Sequence, residues 1–163
     1  EERLGVGDVA YGWLRASAGI GALMMGLILI VLPVKRNVGR TLYIAVAVFG
    51  IATIVLGVTR SYAVAFFAVI VLSAADMVSV FIRASLVPLV TPDEARGRVN
   101  AVENVFIGAS NELGEFESGL TASWWGPVTA VTVGGAACLV IVGVYWRLFP
   151  ELRRLDRFPQ PGS

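Results

Sequence analysis

Five long stretches of the chain are almost wholly apolar, and short polar segments separate them. They run from Val9 to Leu32, Thr41 to Thr59, Tyr62 to Val90, Val99 to Ala122 and Pro127 to Phe149. Each is close to or above the ~20 residues a helix needs to cross the hydrocarbon of a bilayer. Backbone polar groups in lipid must be satisfied within the span, which admits only helices and closed barrels. Barrel strands need only about 10 residues and alternate in polarity, unlike these continuous runs. The pattern predicts an all-α polytopic transmembrane bundle of five helices, one region over residues 1–163 with a tail at 150–163. The links PVKRNVGR, RS, TPDEARGR and SWWG are short, so consecutive helices are expected to be antiparallel neighbours. In TPDEARGR, Thr91 and Glu94 have capping-box spacing with Pro92 at the first helical position. The fourth helix is therefore expected over 92–122.

The basic residues give the bundle a direction. Lys35, Arg36, Arg40, Arg96, Arg98, Arg147, Arg153, Arg154 and Arg157 fall on one side of this topology, against Arg3, Arg15 and Arg60 on the other. Lys and Arg accumulate in cytoplasmic loops, so the N-terminus is expected outside and the tail in the cytoplasm, in an inner or plasma membrane. The aromatic residues agree, since Trp and Tyr favour the two interfaces. Tyr11, Trp13, Tyr62, Trp124 and Trp125 mark the outer level, and Tyr43, Tyr145 and Trp146 the inner one.

Composition narrows the chemistry. Of 163 residues, 56% are hydrophobic and 15% charged, with a mean hydropathy of +0.76, whereas charged residues make up about a quarter of a soluble domain. The net charge of +1 and the scattered cations offer no nucleic-acid surface. With one cysteine, Cys138, and no histidine, a metal site or cofactor ligand set is not expected. A catalytic function is not expected either, because no nucleophile has an adjacent base. The chain opens on EERLG rather than on Met, which suggests a piece of a longer protein.

Charge inside the spans sorts the helices. The second from Leu42 to Val58 and the fifth from Val128 to Trp146 carry none and are expected to face lipid. Asp76, Ser79 and Arg83 are spaced three and four apart and share one face of the third helix. On the fourth, Asn104, Gly108, Asn111, Glu115 and Ser118 form a similar stripe with Glu112 at its edge. Charges at membrane depth turn toward a bundle interior or water and are functional candidates by default. At a rise of about 1.5 Å per residue, Asp76 lies near mid-membrane beside Glu112, and Arg83 lies within reach of Glu103. Asp76, Glu112, Glu115 and Asn111 are thus candidates for a proton or substrate pathway, although the glutamates could equally belong to a structural network or a wet vestibule. Arg83 and Glu103 are candidates for an ion pair holding two helices in register. Small residues Ser17, Ala18, Gly21, Ala22 and Gly26 on the first helix suit close packing.

Three motifs resemble the C-terminal half of a major facilitator superfamily transporter. KRNVGR, with Gly39 and Arg40, looks like the second copy of that superfamily's Gly/Asp/Arg loop motif, although it has no acid in the loop. TPDEARGRV resembles the Pro-x-x-x-Arg-Gly-Arg-Val signature at Pro92, Arg96, Gly97, Arg98 and Val99. FIGASNELGEFESG and the tail FPELRRLD are similar to the drug and siderophore exporter branch that includes enterobactin-exporter-like proteins. The resemblance covers nearly the whole chain and implies helices eight to twelve of twelve. It implies proton-coupled efflux of a small amphipathic molecule by alternating access, with the bilayer, protons, a small-molecule substrate and a missing N-terminal half as partners. It also makes Arg40, Arg96 and Arg98 candidates for a cytoplasmic gate, whereas composition alone explains them as topological anchors. The other class of function open to the sequence is a non-transporting scaffold or accessory subunit whose polar stripes bind partner helices.

Overall fold

A computed structural model describes residues 8–92, 94–102, 104–105, 119–120 and 123–158. The described residues are helical with short links. Helix α1 spans Asp8–Val31, α2 Val38–Val58 and α3 Tyr62–Val90. Residues 94–102 and 104–105 are helical and belong to α4, followed by α5 at Pro127–Leu148 and the single turn α6 at Pro150–Arg153. Helices α1, α2, α3 and α5 are each long and apolar enough to cross a membrane. Of the expected fourth span, 94–102, 104–105 and 119–120 are helical, and the rest lies outside the described residues.

The ends differ from expectation by a few residues, for identifiable reasons. Helix α2 starts at Val38 rather than Thr41, because Asn37 adopts a left-handed conformation (φ 54°) and its carbonyl accepts from the Thr41 N–H at 2.9 Å. Thr91 does not spend its hydroxyl on capping the next helix. It donates back to the Val87 carbonyl at 2.6 Å, and closes α3. Residues 123–125, read from the sequence as link, are helical. The chain then breaks at Gly126, whose φ of 82° suits a residue without a side chain, and Pro127 opens α5 where its missing N–H costs nothing.

Packing corrects the expectation that every consecutive pair of helices is adjacent. Helix α1 lies along α3, α3 along α2, and α2 along α5, so the order in space is α1, α3, α2, α5. A six-residue link such as 32–37 can extend to about 20 Å and clear a neighbour about 10 Å wide, so its shortness does not force adjacency. Small residues decide the partner instead. Ser17 and Gly21 are buried on the α1 face toward α3, where a Cβ on Gly21 would collide with the Ile70 carbonyl. Without a hydrophobic driving force between helices in lipid, such close backbone contact is a main source of association.

Aromatic residues tie the helices at both ends. Tyr62 donates from its hydroxyl to the Ala10 carbonyl at 2.9 Å, joining α3 to α1. At the other end, Tyr43 donates to the Tyr145 carbonyl at 3.1 Å, joining α2 to α5. Tyr43 also meets Trp146 edge to face with centroids 5.2 Å apart, and Tyr145 stacks on Phe149 at 5.1 Å.

Candidate functional site

Helix α3 has Asp76 at its midpoint, and Ser79 and Arg83 follow on the same face toward the basic end. Their spacing of three and four residues turns all three into one cleft of about 350 Å³. Helix α2 supplies the floor through Tyr43, Val46 and Phe49, and α5 the far wall through Cys138, Ile141 and Tyr145. The opening at Asp76 exists because α2 sits between α3 and α5.

Polar groups in the cleft are partly satisfied by backbone. Ser79 is 6% exposed, and the Arg83 Nε–H donates to the Ser79 carbonyl at 3.3 Å, which folds the guanidinium back along its own helix. Cys138 donates to the Val46 carbonyl at 3.7 Å across the α2–α5 contact. The side chains of Asp76 and Arg83 are exposed. Charges at membrane depth are costly against acyl chains and usually face a bundle interior or a water-filled cavity.

The other residues singled out from sequence fall elsewhere. Glu103, Asn111, Glu112 and Glu115 lie outside the described residues. Arg40 stands exposed in the first turn of α2, and Arg96 and Arg98 are exposed on α4. Among the described residues, the structure therefore joins Asp76 to Arg83 through a common cleft, and the three arginines stay outside it.

Sequence reasoning missed the contribution of α2, α5 and the tail to this cleft. Tyr43 and Tyr145 were legible as interfacial aromatics, but their mutual hydrogen bond was not. Leu152 of the tail also lines the cleft, although residues 150–163 read as a tail leaving the bundle. No clear signal of this was legible in the sequence. Asn37 in KRNVGR is a favoured capping residue, and only the structure shows that its side chain makes no cap bond, which leaves the start of α2 to find acceptors elsewhere.

Four apolar spans, three of which enclose a cleft that holds an acidic and a basic side chain, make this a multi-pass membrane protein. The family model described as transmembrane secretion effector matches residues 1–161. The chain belongs to this family, a branch of the major facilitator transporters. No curated protein and no solved structure matches it.

Proposed function

We propose that the chain supplies the C-terminal half of a proton-coupled exporter of small amphipathic molecules that works by alternating access. The observation that carries this reading is the cleft, which opens Asp76, Ser79 and Arg83 together at the middle and basic side of an otherwise apolar helix. An ionisable carboxylate at membrane depth, opened to a cleft rather than packed in a dry core, is the kind of group a coupled transporter uses.

In this reading Asp76 carries the proton, and Asn111, Glu112 and Glu115 continue the pathway from the fourth helix. Arg83 pairs with Glu103 and keeps α3 and the fourth helix in register. Arg40, Arg96 and Arg98 stand at the cytoplasmic end, where they meet acids of an N-terminal half in the outward-open state. The protein sits in the plasma or inner membrane with its basic end in the cytoplasm. The natural full-length protein in vesicles, loaded with a fluorescent amphipathic dye under an imposed pH gradient, tests the reading. Dye movement should follow the gradient and stop when an ionophore collapses it. Movement that ignores the gradient would overturn proton coupling.

A further inference from the structure

The C-terminal end of the chain turns back onto the bundle. After α5, the turn α6 carries residues 150–153 beneath the start of α2. Three N–H groups at that start point to the tail. Asn37 donates to Asp156 Oδ1 at 3.2 Å, Val38 to the Asp156 carbonyl at 3.4 Å, and Gly39 to the Leu155 carbonyl at 3.0 Å. A helix leaves about four N–H groups without intrahelical partners at this end. The Asn37 side chain caps none of them. A segment more than a hundred residues later in the chain thus caps α2, and its carboxylate meets the positive end of the helix dipole.

The fit is close. A Cβ on Gly39 would collide with the Leu152 carbonyl and lie 3.4 Å from Leu155 Cβ. Arg153 rests over the Trp146 ring at 5.1 Å and holds the turn against α5. Leu152, pinned by these contacts, is also a wall of the Asp76 cleft at the end where Leu42 and Tyr145 stand.

We infer that residues 149–157 are a strap that closes the basic-end mouth of the Asp76–Arg83 cleft, and that undocking it from α2 opens the cleft from that side. The device suits a reversible step. Its closure rests on a few bonds, and the Asp156 side chain is 51% exposed, so water competes for them and local opening is far easier than global unfolding. The inference does not depend on what the protein carries or on proton coupling.

Cys138, the sole cysteine of this chain, lines the same cleft and reports its opening. The full-length natural protein in detergent is treated with a charged maleimide, and modification of the peptide bearing Cys138 is followed by mass spectrometry. Asp156→Ala removes the side-chain cap, and Leu152→Ala removes the wall without releasing the strap. Both should raise the labelling rate, Asp156→Ala by about fivefold, since a lost cap weakens a helix end by about 1 kcal/mol and each 1.4 kcal/mol is tenfold. Asp156→Asn keeps an acceptor and should stay near the natural rate. Gly39→Val should behave like Asp156→Ala where it folds, and where it does not, the other variants decide. Labelling at the natural rate in both Asp156→Ala and Leu152→Ala would overturn the inference, as would equal acceleration by Asp156→Asn and Asp156→Ala.

Discussion

Gly50 of α2 and Gly135 of α5 face each other so closely that a side chain on Gly135 would collide with α2 and one on Gly50 would have to push its neighbours aside. A Cβ on Gly135 would lie 2.8 Å from the Gly50 carbonyl oxygen, and one on Gly50 would lie 3.1 Å from the Gly135 carbonyl oxygen. Gly135 is the one buried residue of α5. The contacts that hold the helix to α2 include this backbone contact, the close approach of Gly57 to Thr132, the Cys138 bond and the Tyr43 bond.

Gly135→Val should therefore separate α5 from α2. Overpacking a close contact costs about 1–3 kcal/mol, and in a detergent melt the variant should unfold at a lower temperature. Gly134→Val is the control. Its Cβ would meet nothing within 4 Å, and it should melt close to the natural protein.

The two tyrosine bonds at opposite ends of the bundle should act independently. Tyr43→Phe and Tyr62→Phe each delete one bond to a backbone carbonyl, worth about 1 kcal/mol. The residues lie far apart, on α2 and α3 ends that face different partners. The double variant should lose the sum of the single losses, read from denaturant or thermal unfolding of each protein.

Arg83 and Glu103 should show the opposite behaviour. If they pair as the sequence register suggests, removing either leaves a charge at membrane depth, and removing both does not. A cycle of Arg83→Gln, Glu103→Gln and the double variant should yield a coupling of about 1 kcal/mol or more in stability. Strict additivity would mean that each finds another partner.

Much of this architecture was legible because bilayer physics leaves few choices. The third span was readable to the residue, at Tyr62 and Val90, since apolar length and a short RS link fix both where it starts and how it runs. The face shared by Asp76, Ser79 and Arg83 followed from helical periodicity alone. Helix adjacency was not legible. Whether α1 chooses α2 or α3 depends on how closely Gly21 can approach Ile70, a matter of shape that hydropathy does not encode. The docking of Asp156 on Asn37 was also hidden, because the contact joins positions 119 apart and each residue alone reads as an ordinary solvated one. Gly39 illustrates the same point. Its place in the KRNVGR motif was visible, but its close approach to Leu152 was not.

The midpoint position of Asp76 gives the functional account its sharpest exposure to test. Asp76→Asn in the natural full-length protein keeps the size of the side chain and removes its ability to bind and release a proton. In vesicles with an imposed pH gradient, the variant should insert at normal levels yet lose gradient-driven dye export to near background. Export at the natural rate by an inserted Asp76→Asn protein would contradict the account.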